Sequence, residues 1–275
     1  MAVYTDVSFE DLEALLSNYD IGSPRSFKGI AEGVENSNFH LQTDRGGYIL
    51  TLYEKRVSKD DLPFFLGLME HLATRGIACP QPVRDKSGAQ WMTLNGRPAA
   101  LLTFLDGVSL RKPDVAHCTA AGEALAELHA AGSDFAIVRS NALGLSGWKK
   151  LAADTKARAD TVQAGLTALI ETSLDELSGW PHALPAGVIH ADLFPDNVLF
   201  VDGKISGLID FYFACNDALA YDIAVMLNAY RQQRELTSDE VVALPMLARG
   251  AALRFLLTRL YDWLNPDPTA LVRPK

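Results

Sequence analysis

Residues 190–211 read HADLFPDNVLFVDGKISGLIDF, with an acid at Asp192, an amide at Asn197 five residues later and a second acid at Asp210 thirteen further on. Asp202-Gly203 between two apolar runs is a two-residue hairpin signal, so strands are expected over 197–201 and 204–211. With Val201 opposite Lys204, Asn197 would face Leu208, and Asp210 would lie one diagonal step further along the same side. Backbones roughly 7–8 Å apart at that step would let Asn197 and Asp210 share one cation. Pro195 keeps Asp192 on a loop outside the ladder. A base beside a cation clamp is what phosphoryl transfer from a metal–nucleotide needs. One carboxylate takes the acceptor hydroxyl's hydrogen bond, while an amide and a carboxylate hold Mg²⁺ on the phosphates. For any single residue here, an acid at the solvated end of a hairpin is the plain alternative; the combination points to chemistry.

The flanks extend the pattern. Downstream, helices are expected over 218–231 and 238–264. Upstream, 114–131 and 148–177 read as helical, the first ending near Gly132. Further upstream the pattern is mostly strand, over 25–31, 38–43 and 48–54, with two more strands around the type I′ signal Asn95-Gly96. Ser8 to Asp11 is a capping-box-like start to a short first helix. Ser58 and Asp61 open a second helix that stops at Gly76. Residues 1–105 thus read as a β-rich lobe with one long helix, and 106–275 as a mostly helical lobe.

Composition bounds the rest. Of 275 residues, 48% are hydrophobic and 21% charged, ordinary for a globular enzyme. A net charge of −9 disfavours a nucleic-acid partner, which needs a concentrated basic face. Cys79, Cys118 and Cys215 are odd in number and form no C-x-x-C, which fits a reduced compartment. The N-terminal segment lacks a signal-peptide pattern, and no uncharged apolar run approaches the ~18 residues that span a bilayer. A cytoplasmic protein without a membrane partner is expected; oligomeric state is not legible.

H-x-D-x4-N followed by I-D-F matches a kinase signature, yet Tyr212 replaces the Gly of D-F-G and no A-P-E follows, which points to small-molecule kinases. HADLFPDN…LIDF resembles the aminoglycoside phosphotransferase-like kinase superfamily, whose usual form is H-G-D-x-x-x-x-N followed by I-D-F or I-D-W. VENSNF (34–39), YILTLYEKR (48–56), LPFFLGLMEHLATRGIACPQPV (62–83) and GLIDFYFACNDALAYDIA (207–224) resemble its bacterial homoserine kinase branch, over nearly the whole chain. Relatives of that branch are expected to continue beyond residue 275.

The resemblance implies a protein-kinase-like, two-lobed α+β fold and ATP-dependent phosphorylation of L-homoserine with Mg²⁺. It implies Asp192 as the base, Asn197 and Asp210 as metal ligands, and Asp222 as a support for the catalytic loop. His190 is expected to brace that loop, and His129 to face the core. The loop 29–38 would cover the phosphates through Gly33, Asn36, Ser37 and Asn38, and the hinge at Thr103 and Leu105 would meet the adenine. Thr51 stands where the superfamily's strand lysine is expected. Lys55 is the substitute candidate, about 13 Å further on at ~3.3 Å per residue, with a solvated strand end as its rival. Tyr212, Asn216, Asp217, Tyr230, Arg231 and Arg234 are candidates for the acceptor's ammonium and carboxylate. The stretch 217–275 has seven acids and seven bases, which disfavours a polycationic aminoglycoside. Another small alcohol such as choline or methylthioribose, or a non-catalytic nucleotide-binding pseudokinase, remains open at this point.

Overall fold

The computed structural model describes residues 5–30, 36–54, 57–181, 183–223 and 236–266. The fold is α+β. The first helix, α1 (Phe9–Leu16), starts on a reciprocal capping box: Asp11 N donates to Ser8 Oγ (3.1 Å) and Ser8 N to Asp11 Oδ2 (3.0 Å). Five antiparallel strands follow: β1 (Pro24–Gly29), β2 (Ser37–Thr43), β3 (Gly47–Leu52), β4 (Met92–Leu94) and β5 (Arg97–Thr103), in the order β1-β2-β3-β5-β4. Asn95 and Gly96 both have positive φ, 49° and 76°, as a type I′ turn requires. Helix α2 (Leu62–Thr74) sits between β3 and β4 in the chain, led by a short 3₁₀ turn that Ser58 caps.

Strand alternation gives the sheet two buried faces. Leu41, Leu50, Leu52 and Leu101 pack against Leu12, Leu15 and Leu16 of α1. Tyr53, Ala100 and Leu102 meet Phe65, Leu66 and Leu72 of α2, and this core runs on into Val198, Phe200, Leu208 and Phe211. The N-terminal sheet is therefore joined to the 198–208 hairpin through apolar contact.

A two-residue strand, β6 (Val108–Ser109), leads into α3 (Val115–Ala131), whose N-cap Asp114 accepts from His117 N (2.9 Å). The single helix expected over 148–177 is two: α4 (Leu145–Val162) and α5 (Leu166–Glu176). Gly165, at φ 82°, breaks them, a conformation helices do not continue through. The helix expected from 218 shows a 3₁₀ segment over Leu219–Ile223, and its remainder lies outside the described residues.

The last helix, α6 (Ser238–Leu264), is the one described helix long and apolar enough, by length and composition, to cross a membrane. Here its inward stripe, Leu247, Leu253, Leu257 and Leu260, is packed into the core around Trp148 and Ala159 of α4. Gly250 lies on that stripe, and a Cβ there would meet the rings of Trp180 and Trp148. Gly250→Ala is therefore expected to destabilise the fold by about 1–3 kcal/mol, the usual cost of overpacking, read as a lower denaturant midpoint with unchanged slope.

Strand β7 (Ala186–Ile189) pairs with β10 (Cys215–Ala218), and β8 (Val198–Val201) pairs with β9 (Lys204–Leu208) and with β6. The Asp202-Gly203 hairpin forms, with Val201 opposite Lys204. Its register differs from the expected one. The pairing slips between Leu199 and Phe200, leaving Ser206 as the extra residue of a bulge, so that Val198 rather than Asn197 faces Leu208. Across the sheet Gly107, at φ 141°, runs so close to Ser206 that a Cβ would strike its hydroxyl.

Candidate active site

The bulge and two tight turns set the site. Asn197 ends a 3₁₀ turn, Pro195–Asn197, rather than opening β8, and its carbonyl accepts from Ile209 N (3.0 Å). Asp210 lies beyond the end of β9 with φ 66° and ψ 58°, so a left-handed turn aims it, not strand alternation. Asp is among the few non-glycine residues that tolerate this conformation.

Asp192 is the hub. Its carbonyl accepts from Phe194 N (2.8 Å) and Asn197 Nδ2 (2.7 Å), and Asn197 Nδ2 also lies 3.3 Å from Asp192 Oδ2. Burial pushes the Asp192 carboxyl up from its usual range, against the pull of Arg254 and His190. A more basic carboxylate is better suited to take a hydroxyl proton. Because Asn197 spends its amide nitrogen on the loop, its Oδ1 is oriented away from it. That oxygen and the Asp210 carboxylate are hard donors of the kind Mg²⁺ takes. Among the described residues no three His, Cys, Asp or Glu side chains cluster as a metal cage. Two protein oxygens completed by phosphate and water are the usual arrangement for a nucleotide-bound Mg²⁺.

Beneath the loop lies Asp222, its side chain 3% exposed. Its carboxylate accepts from His190 N (2.7 Å), Ala191 N (2.8 Å) and His129 Nε2 (3.2 Å). Burial alone would raise its pKa, but those donors outweigh it and hold the carboxyl below its usual value. His190 ties the two arms together: Asp192 N donates to its Nδ1 (3.3 Å), so the proton sits on Nε2, which donates to Ile209 O (3.0 Å). Burial lowers its pKa, and the ring packs on Phe211 at 4.8 Å, so the imidazole is a neutral brace.

Other sequence candidates fall in different places. Asn36 and Ser37 are buried and turned inward: Asn36 Oδ1 accepts from Glu54 N (3.4 Å), and Ser37 Oγ donates to Glu54 Oε1 (2.7 Å). The buried Glu54 carboxylate also pairs with Arg97 (3.1 Å). Asn38 pairs with Thr51 across β2 and β3, and Thr51 Oγ1 donates to Asn38 Oδ1 (2.8 Å). Thr103 ends β5 with its N–H donated to Gln81 O (2.9 Å), and Leu105 follows as the chain leaves the sheet.

Tyr212 packs edge-on against Tyr53 (5.2 Å) and Phe65 (6.0 Å), and burial pushes its phenol up to about 12. The ring thus joins the N-terminal core to the Asp210 turn. Asn216 and Asp217 on β10 hold a neighbouring loop: Asn216 Oδ1 accepts from Arg139 N (2.9 Å), and Asn141 Nδ2 donates to Asp217 Oδ2 (2.7 Å). Gly33, Lys55, Tyr230, Arg231 and Arg234 lie outside the described residues.

Sequence reasoning missed Arg254 on α6, whose Nη2 donates to Asp192 Oδ1 (3.1 Å). Its only signal was an arginine set within a run of apolar residues. The polar partnership of His129 with Asp222 was missed as well.

A family model for the phosphotransferase enzyme family matches residues 26–262. The chain belongs to that family. It is 60% identical to a homoserine kinase of Rhodospirillum rubrum, over all of this chain and 92% of that protein. It is also 60% identical to one from Afipia carboxidovorans, over all of this chain and 91% of that protein. Among solved structures, a spectinomycin phosphotransferase bound to ADP and spectinomycin superposes with a TM-score of 0.73 at 13% identity, covering 96% of this chain and 91% of that one. An amicoumacin kinase superposes at 0.71 with 15% identity, covering 97% and 89%. At such identities the structural likeness establishes the phosphotransferase fold and nothing finer.

Proposed function

We propose that this phosphotransferase uses ATP to phosphorylate the hydroxyl of L-homoserine, giving O-phospho-L-homoserine and ADP. The observation that carries the reading is the identity of about three residues in five, along the entire chain, with proteins named homoserine kinase. In this reading residues 1–105 form the nucleotide lobe, 106–275 the catalytic lobe, and the work is done in the cytoplasm.

Asp192 accepts the hydrogen of the acceptor hydroxyl, whose oxygen attacks the γ-phosphorus as the bond to the ADP oxygen breaks. Asn197 Oδ1 and Asp210 would hold Mg²⁺, which would supply charge neutralisation at the phosphates. Asp222 and His190 fix the loop, and the Thr103 and Leu105 backbone meets the adenine. The acceptor's charged ends fall to groups still to be mapped, with Arg231 the first candidate.

Thr51 takes the place of a lysine without taking over its charge. By accepting at Oδ1 from Thr51, Asn38 presents its NH₂ as a neutral phosphate donor, which makes Asn38 the stronger candidate and Asn36 and Ser37 supports of the loop base. Thr51→Val keeps the strand and the shape but frees the amide to rotate. Losing one such hydrogen bond should raise KM for ATP by about two- to tenfold with kcat little changed. Steady-state kinetics at saturating acceptor reads this directly.

The function is tested by comparing kcat/KM for L-homoserine, L-serine, L-threonine, choline, methylthioribose and kanamycin with Mg-ATP. Homoserine should lead; a higher value for another alcohol would replace the substrate while keeping the chemistry.

A further inference from the structure

We propose that Arg254 is a positioning residue for the base: it fixes the Asp192 carboxylate and the peptide before it, and affects turnover through them. This rests on the reading of Asp192 as base.

The location is unfavourable for an arginine. Arg254 is 3% exposed and sits on α6 beside Leu253 and Leu257, in the stripe that packs on α4. A guanidinium in such a place costs free energy unless its donors are matched. Its Nη atoms reach into the site, while the buried Nε has no hydrogen-bond partner among the described residues. Nη2 donates to Asp192 Oδ1 at 3.1 Å, and Nη1 donates to the carbonyl of Ala191. Its Cζ lies over the rings of Phe213 (4.9 Å) and Phe255 (4.7 Å). Phe213 ends the turn that Asp210 begins, and Phe255 packs edge-on against Phe194 of the catalytic loop at 4.6 Å. One side chain therefore touches the base, the loop and the turn that carries the second acid.

Ala191 shows what the clamp accomplishes. Its φ of 64° lies in the left-handed region, where a Cβ is unfavourable. The residue is held there from both sides: its N–H goes to Asp222 Oδ1 (2.8 Å) and its carbonyl to Arg254. The next side chain is then fixed as well. Arg254 occupies Asp192 Oδ1, while Oδ2 lies on the Asn197 side, so one carboxylate orientation is selected. A stability role alone would be served as well or better by an apolar side chain in this stripe, since buried ion pairs seldom outperform well-packed apolar replacements. Retaining the charge makes sense if the geometry of Asp192 depends on it.

The test uses the full chain and four variants: Arg254→Met, Arg254→Lys, Asp192→Asn and the Arg254→Met/Asp192→Asn double. Arg254→Met should lower kcat about 100-fold, the scale of a misplaced catalytic group, with both KM values within about threefold. Arg254→Lys keeps the charge but not the fork, and should regain about tenfold of that loss. In the Asp192→Asn background, Arg254→Met should change the residual rate by less than about twofold, because its effect passes through Asp192. Wild-type kcat in Arg254→Met, or an equal further loss in the double variant, would overturn the proposal. Should Arg254→Met fail to fold, Arg254→Lys decides: a tenfold lower kcat at unchanged KM supports it and an unchanged kcat overturns it. A fully active Asp192→Asn single variant would defeat the underlying base assignment instead, and is recognisable as such without any Arg254 variant.

Discussion

Asp192→Asn is expected to lose about 10²–10⁴ in kcat, the usual contribution of a general base, while KM for ATP stays near its wild-type value. The amide has nearly the shape of the carboxylate, and its oxygen can still accept from Arg254 and stay in place on the loop. The backbone bonds that shape the loop, from Phe194 N to the Asp192 carbonyl and from His190 and Ala191 N–H to Asp222, do not involve the altered group. What disappears is the capacity to take a proton. The variant should remain folded and keep its nucleotide-dependent thermal shift. Turnover within a few-fold of wild type would mean that another group serves as base.

Asp210→Asn should raise the Mg²⁺ concentration for half-maximal activity by at least about ten- to a hundredfold, with a matching fall in rate at fixed Mg²⁺. The φ of 66° at this position makes the substitution clean. Asn tolerates left-handed backbone as Asp does, so the turn survives and the change is one of charge. Asn197 would then be left as a neutral partner for a hard dication. A Mg²⁺ titration of initial rates separates the outcomes, and an unchanged midpoint would count against a clamp made of Asn197 and Asp210.

Much of the site was legible because its signals are local. Asp202-Gly203 specifies a hairpin by turn geometry alone, and the spacing of Asp192, Asn197 and Asp210 is readable without a structure. The expected α+β architecture followed from the change from strand to helical periodicity, and the structure shows it. The means by which the acids are aimed were not legible. The bulge at Ser206, beside which Gly107 passes from a distant part of the chain, leaves Val198 rather than Asn197 opposite Leu208. Asp210 is aimed by its own left-handed backbone rather than by strand alternation.

Arg254 shows the same limit. In sequence it is one more arginine on a helix; in space it is the partner of Asp192, 62 residues earlier. Tyr212, Asn216 and Asp217 are candidates by their place in the sequence after Asp210. Their neighbours in three dimensions are Phe65 on α2 and the loop at Arg139 and Asn141. Pairings across such sequence separations are made by packing, which periodicity cannot report.

The central claim is tested most directly by identifying the product. The enzyme is incubated with Mg-ATP and L-homoserine, and phosphorus NMR is recorded alongside ADP release. The account predicts a phosphomonoester resonance on the homoserine side-chain oxygen, in one-to-one proportion with ADP and formed at least about 100-fold more slowly with Asp192→Asn. ADP accompanied by inorganic phosphate, or no phosphomonoester at all, would contradict it.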